Sequence, residues 1–393
     1  MFTSYSFPCR LQFFLVISFY IGYNKNVFNN RDLGGYPMIN NLTFENFRGL
    51  KKIHLPELGQ VTLISGKNNA GKSSILEGIF LAIDHIAPES FVKINRFRGL
   101  SMSTDPSVLW APMFYDLNTK ETLRISMQLD DVETVLTYSR DDSFVPSDAA
   151  GAPQDVFNQF ISSAKSTYTL KFHFSHGDYT EDGHFVVSSS GVLRNVHTSS
   201  DNNQLLPMPF TQYINASIIN NDSVITEWFG KLEIEGKKQQ VIDVLRIIDA
   251  SICDISTIAF QGQIQLYAKM GEKLLPLKLA GDGINKLLFI VLSIIANPNS
   301  VILIDEIETG FHFSMYAKLW EIISIVAQKN NCQIIATTHS YECINGAIDG
   351  IETANMQNAF CYYRIERADG ENKAFRYSGD LVRSAINFSM EVR

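Results

Sequence analysis

The sequence has no C-x-x-C pair. Its five cysteines, Cys9, Cys253, Cys332, Cys343 and Cys361, are odd in number and scattered. That argues against a zinc site and a disulfide framework, and reads as reduced thiols in a cytoplasmic protein. There is no basic excess either. A formal net charge of -8 argues against a generic nucleic-acid coat, although a local basic strip would still be compatible with it. No heptads persist and no internal repeat is evident, so neither a long coiled coil nor a solenoid is expected. The apolar run Leu11 to Tyr23 (LQFFLVISFYIGY) follows Arg10 like a signal-peptide core. It falls short of the roughly 20 residues a comfortable span needs, and no A-x-A-like cleavage site follows it. Residues 1–37 are read as an N-terminal extension of uncertain role, and a membrane partner is not expected.

What remains is ordinary globular material. At 393 residues, with 45% hydrophobic and 19% charged, the chain can bury one large core or two. A strand is expected from Met38, a buried strand over Gln60 to Ser65 and a helix over Ser73 to Ile83. From about Glu121 to Val196 the pattern alternates, with turn residues between the runs, and predicts an antiparallel accessory sheet. Asp222 to Ile248 has mostly helical spacing. The last third returns to short β-branched runs separated by amphipathic helices, the pattern of a parallel sheet covered on both faces. Ala359 to Tyr377 suggests a hairpin turning at ADGEN, followed by a helix to Arg393.

The most specific motif is GKNNAGKS, Gly66 to Ser73, which fits G-x-x-x-x-G-K-[ST] between a strand and a helix. Backbone N–H groups of Gly66, Lys67, Asn68, Asn69, Ala70, Gly71, Lys72, Ser73 and Ser74 are expected to cradle the phosphates of ATP at a helix start. Lys72 is expected to reach the β- and γ-phosphates, and Ser73 to ligate Mg²⁺. Asp305 ends an apolar strand in VILIDEIETGFH (Val301 to His312), where a carboxylate can hold Mg²⁺ through water. Glu306 beside it is placed to orient or deprotonate the attacking water. His339 in ATTHS ends the next strand, where a γ-phosphate sensor could sit. GTPases recognise guanine through N-K-x-D; NKLL (Asn285 to Leu288) and NKNV (Asn24 to Val27) both lack the aspartate. A small-molecule kinase rarely carries Asp-Glu at that strand end with a histidine after the next.

This order of motifs resembles ABC-type ATPases. With the NFRGL start (Asn46 to Leu50), DEIETGFH, THS and the closing EVR, it resembles their RecF/SMC/OLD-like branch. More narrowly it is similar to the small bacterial AAA-type ATPases of phage-defence and toxin-antitoxin-like operons. The resemblance covers about residues 38–87 and 274–393. It implies an α/β fold, a P-loop NTPase of the ABC-type head, with an accessory antiparallel β region and a helical subdomain. It divides the chain into 1–37 and an ATPase domain, 38–393. That domain comprises a P-loop lobe (38–100), an inserted accessory region (101–260) and a lobe carrying the signature, Asp-Glu strand and histidine switch (261–393).

In such heads a glycine-containing signature contacts the γ-phosphate bound to the other subunit. Gly281, Asp282 and Gly283 lie in that interval and depart from the common L-S-G-G form. Gly283 is expected to sit where a neighbour's phosphate leaves no room for a side chain. The resemblance implies a head-to-tail homodimer or higher oligomer around ATP and Mg²⁺, switching a separate effector, a nuclease or toxin. The alternative is a RecF-like DNA-binding ATPase, with Lys93, Arg96 and Arg98 as the candidate strip. A transporter subunit fits the unusual signature and the accessory β region less well.

Overall fold

Strand β3 (Val61–Gly66) is buried at every position, as expected of a parallel strand covered on both faces. A computed structural model shows it at the centre of a six-stranded sheet and describes residues 38–85, 90–100, 105–129, 132–143, 169–188, 191–198, 208–215, 222–260, 262–368 and 370–387. The N-terminal extension, most of the two polar loops around residues 141–155 and 198–209, and the last residues of the closing helix lie outside the described residues.

On one side of β3 lie β14 (Gln333–Thr337), β13 (Ser300–Ile304) and β9 (Phe210–Ile214). On the other lie β15 (Phe360–Ala368) and β16 (Glu371–Tyr377). All neighbours pair in parallel except the β15–β16 hairpin at the edge. Side chains alternate between two cores, as the twofold repeat of a strand requires. Ile302, Ile304, Ile334 and Ala336 enter one cluster, while Val301, Leu303 and Ile335 enter the other.

The first cluster is covered by helices α3 (Asp222–Ile234), α4 (Lys238–Ile248), α5 (Asp282–Ala296), α6 (Tyr316–Lys329) and α7 (Tyr341–Thr353). A three-stranded sheet, β10 (Ile252–Phe260), β11 (Gln263–Met270) and β12 (Lys273–Pro276), also packs there. The second cluster lies under helix α1 (Lys72–Ile83), whose residues from Ser74 onward are all buried. Beyond α1 and α2 (Ser90–Arg96) stands a seven-stranded antiparallel sheet of order β2-β1-β4-β5-β6-β7-β8. Its strands are β1 (Ile39–Phe47), β2 (Leu50–Leu55), β4 (Leu123–Leu129), β5 (Val132–Arg140), β6 (Thr169–His176), β7 (Tyr179–Ser188) and β8 (Gly191–Thr198). The accessory β pattern read from Glu121 onward thus takes β1 and β2 into the same sheet. Helix α8 (Gly379–Asn387) closes the described chain.

Three features were not expected from the pattern: the β10–β12 sheet, the break of Asp222–Ile248 into two helices, and β9. Strand β9 is short, with only its last two residues buried, and takes its place through its neighbour β13 rather than through a periodicity of its own. Its register places Ile214 beside Ile304, while Thr337 pairs with Ile64. The carboxyl ends of β3, β13, β14 and β9 therefore meet at one rim, where open α/β sheets bind ligands.

Candidate active site

The P-loop connects β3 to α1 through three residues with positive φ: Gly66 at 142°, Asn69 at 62° and Gly71 at 100°. Such a turn directs successive N–H groups inward and forms a concave anion cradle. Gly71 is required twice over. Its φ disfavours L side chains, and an added Cβ would lie 2.4 Å from the Leu50 side chain. Lys67, Asn68 and Asn69 are exposed, whereas Gly66 and Ala70 are buried. Lys72 Nζ donates to the carbonyls of Gly66 (2.7 Å) and Lys67 (3.0 Å), folding the side chain back over the loop. Burial lowers its pKa, while Asp305, Glu308 and Glu306 pull the other way. Ser74 is turned inward: its buried hydroxyl accepts from Arg98 at 3.1 Å. It therefore has only its main-chain N–H to offer a phosphate.

Across the rim, one carboxylate gathers three hydroxyls. Asp305 Oδ1 accepts from Ser73 Oγ (3.1 Å) and Thr337 Oγ1 (2.6 Å), and Oδ2 accepts from the Tyr213 hydroxyl (3.1 Å). Tyr213 is fixed by stacking on Phe97, ring centroids 4.2 Å apart at 4°. Burial first, and then Asp305, raises its pKa well above the ordinary value, so the phenol stays a donor. Thr337 Oγ1 also accepts from the Glu306 N–H at 2.9 Å. Glu306 is exposed and has a φ of 47°. A left-handed residue other than glycine costs roughly 1–2 kcal/mol, so its neighbours must hold it there.

His339 sits on the same side as a half-exposed ring, and its partner is buried. Glu308 Oε1 accepts from the His339 main-chain N–H (2.8 Å) and lies 2.9 Å from its Nδ1. Nδ1 is thus engaged by Glu308, and a ring carrying a proton on each nitrogen would have its Nε2–H left to donate to a phosphate. Ser340 then caps α7 by accepting from the Cys343 N–H at 3.1 Å, which sets the strand-to-helix turn carrying the histidine.

The Gly281–Gly283 turn, expected from the sequence to be the signature, adjoins Gly310 and Phe311 of the segment that follows Glu306. Gly281 precedes α5 with φ 104°, and no side chain caps that helix start among the described residues. Gly281 and Asp282 are exposed. Gly283 is crowded from within its own chain: an added Cβ would meet the Gly310 carbonyl oxygen at 2.8 Å and Phe311 at 3.2 Å. The signature is thereby docked on the turn that follows Glu306. Buried Lys286, one turn further along α5, donates to the carbonyls of Glu306 (2.7 Å) and Thr309 (3.1 Å). Burial pulls its ammonium down to about 8, against the pull of Glu308 and Glu306.

Arg48 of the NFRGL start does not line the rim. It is buried, with Nε 2.6 Å from Glu77 Oε2 on α1, and Arg98 Nε donates to Glu77 Oε1 at 2.7 Å. Burial raises the Glu77 carboxyl above the usual carboxylate range and the two arginines draw it back. Of the candidate strip, Arg98 is thus committed to Glu77 and Lys93 to Asp84 at 2.9 Å, while Arg96 is exposed.

Ser73 and Asp305 are hard oxygen donors already in contact, a pair that fits Mg²⁺. Sequence reasoning left Thr337, Glu308, Tyr213, Lys286 and Asn372 unassigned. Thr337 and Glu308 lie inside the quoted motifs, and Lys286 is the one charge in α5 beyond Asp282; these were available signals. Tyr213 and Asn372 carried none. Asn372, buried on β16, donates to the Ala70 carbonyl at 3.0 Å across a sequence separation of 302.

Comparison with known proteins matches residues 61–345 to a family described as "AAA domain, putative AbiEii toxin, Type IV TA system". A protein of Helicobacter pylori named ATP/GTP phosphatase is 26% identical over 376 residues, 87% of this chain and 99% of its own. An uncharacterized protein of Methanocaldococcus jannaschii is 32% identical over 157 residues, 36% of this chain and 63% of its own. Among solved structures, an Smc head bound to the C-winged helix domain of ScpA has a TM-score of 0.48 at 14% identity, covering 88% of this chain and all of that one.

Proposed function

This chain belongs to the AAA-domain family just named, and from that premise we propose that it is a dimeric switch that couples an ATP cycle to a separate effector protein. The chain is an ATPase of α/β, P-loop type. The observation that carries the reading is the convergence of Ser73, Thr337 and Tyr213 on Asp305, with Glu306 held beside it by the same Thr337 hydroxyl.

ATP enters the cradle of Gly66 to Ser73, and Lys72 leaves the loop carbonyls for the β- and γ-phosphates. Ser73 and Asp305 would hold Mg²⁺, which when bound would neutralise charge on the phosphate oxygens. Glu306 orients the attacking water and takes its proton; His339 meets the γ-phosphate through Nε2. Gly281 to Gly283 of a second subunit close the site, since those residues stand at a helix start without a side-chain cap, a position that suits an anion. The family description names a putative toxin and a type IV toxin–antitoxin system; a separate effector of toxin or nuclease kind in antiviral defence is our proposal beyond those words. The DNA reading has less support, because carboxylates already neutralise Arg98 and Lys93 of its strip.

Glu306→Gln tests both parts. It should bind ATP and Mg²⁺ normally and slow hydrolysis about 10²–10⁴-fold, the usual contribution of a general base. It should also elute as an ATP-dependent dimer in size exclusion with light scattering. Parental turnover in this variant would end the assignment of the base. A strictly monomeric, ATP-loaded variant would end the dimer. For the switch, the product of an adjacent reading frame should co-purify differently with and without ATP.

A further inference from the structure

Beyond Gly283, α5 carries a single charged residue, Lys286, which is 3% exposed. A buried ammonium without a carboxylate bonded to it is costly, and a methionine of similar length would fill the space with less penalty. Stability alone therefore does not explain the lysine. Its bonds suggest another use. Both carbonyls it grips, Glu306 at 2.7 Å and Thr309 at 3.1 Å, belong to the turn that presents Glu306. Residue 306 is left-handed, with φ 47°. Thr337 holds its N–H and Lys286 its C=O, so the residue is clamped on both sides. The Lys286 Nζ also lies 6.0 Å from the Phe311 ring centroid, and Phe311 packs against the signature glycine Gly283.

We propose that Lys286 is a positioning residue: from within its own subunit it holds the backbone of Glu306 in the conformation that aims the carboxylate at the attacking water. This rests on the reading of Glu306 as the base. Lys286 lies on the signature helix, yet its effect is on the hydrolytic site of the same chain, whereas the signature serves the site of the other.

Lys286→Met should leave equilibrium ATP affinity within about twofold and lower kcat about 10–100-fold with KM little changed, the size of effect that misplacing a reacting group produces. Lys286→Arg, which keeps a cationic donor, should recover part of the loss. Mixing then separates the two roles. Combined with Lys72→Ala, a lesion confined to the signature is complemented, because the intact P-loop meets the partner's intact signature. Lys286→Met should not be complemented, since the only working P-loop then sits beside the unheld Glu306. Complementation, or unchanged kcat, overturns the proposal. If Lys286→Met does not fold, Lys286→Gln is measured in its place, with the same two outcomes. Glu306→Gln run alongside separates failures: if that variant turns over like the parent, the reading of the base has failed, and if it is inactive while Lys286→Met is fully active, only this inference has.

Discussion

The two ends of the nucleotide machinery are built in opposite ways. At the P-loop end the side chains of Lys72, Ser73 and Asp305 each already have a partner in the same chain. Lys72 rests on loop carbonyls, Ser73 on Asp305, and Asp305 on Thr337 and Tyr213. At the signature end the grip is all from behind, through Gly283 on Gly310 and Lys286 on the Glu306 turn, while Gly281 and Asp282 face outward around an uncapped helix start. The first end is organised before any ligand arrives and gains by exchanging partners. The second is held from within its own chain, with Gly281 and Asp282 exposed on its outer face. The difference is what the proposed head-to-tail dimer would require, each chain supplying half of two sites.

The largest expected effect breaks the organised end. Lys72→Ala removes the cation that folds over the cradle, and charge-assisted hydrogen bonds to phosphate are among the strongest available. ATP affinity by equilibrium titration should fall about 100-fold or more, at roughly 1.5–3 kcal/mol for each such bond lost. Fold and thermal stability should hardly change, because the bonds to Gly66 and Lys67 are made at a partly exposed site. Unchanged affinity would mean that the P-loop is not where ATP binds.

How far the sequence foretold these two ends follows from how local their causes are. The P-loop is a contiguous strand, turn and helix, so its glycines and lysine are legible in eight letters. Asp305, Glu306 and His339 were legible because strand ends in a parallel sheet share a rim. Tyr213 was not: it reaches Asp305 over a sequence separation of 92, on a short strand whose only warrant is its neighbour β13. Asn372 supports the P-loop from a distant hairpin for a similar reason. Gly283 was singled out from sequence, but the crowding ascribed to a neighbour's phosphate is already supplied by Gly310 of the same chain. Lys286 shows the opposite lesson. A solitary charge in an apolar helix is visible in the letters, yet its acceptors are main-chain carbonyls, which no residue pattern displays.

A middle-sized effect sharpens the other side of the comparison. Gly283 is a poor probe of the outer face, since any side chain there strikes the Gly310 carbonyl and disturbs the Glu306 turn as well. Asp282 is exposed and better placed. Asp282→Trp should leave ATP affinity of its own P-loop unchanged, while the added bulk blocks approach of a second subunit. ATP-dependent dimerisation should be lost and hydrolysis should fall about tenfold or more, a steric penalty of 1–3 kcal/mol or so. Mixed with Lys72→Ala, activity should partly return, because one composite site can form. A monomeric Asp282→Trp protein with parental hydrolysis would show that the signature turn is only a helix start.

The smallest expected effect trims the organised end without breaking it. Tyr213→Phe deletes one hydroxyl and keeps the ring that stacks on Phe97 and meets Phe80 edge-on, centroids 6.5 Å apart. Asp305 then loses the donor on Oδ2 but keeps Ser73 and Thr337 on Oδ1. The carboxylate should rotate more freely, and the cost is one hydrogen bond to a charged group, about 1.5–3 kcal/mol before water replaces it. Asp305 itself is partly exposed, so water should recover part of that. The Mg²⁺ concentration for half-maximal hydrolysis should therefore rise about 3–10-fold, below the usual range for losing an outer partner of a metal ligand. ATP affinity without Mg²⁺ should not move. The pH dependence of hydrolysis should also stay the same up to about pH 10, because burial and Asp305 keep the Tyr213 phenol protonated above its ordinary value of 10.0. If Tyr213→Phe instead removes an alkaline limb of the parental pH profile below that value, the phenol is ionising at the rim. Its role would then be chemical rather than supporting.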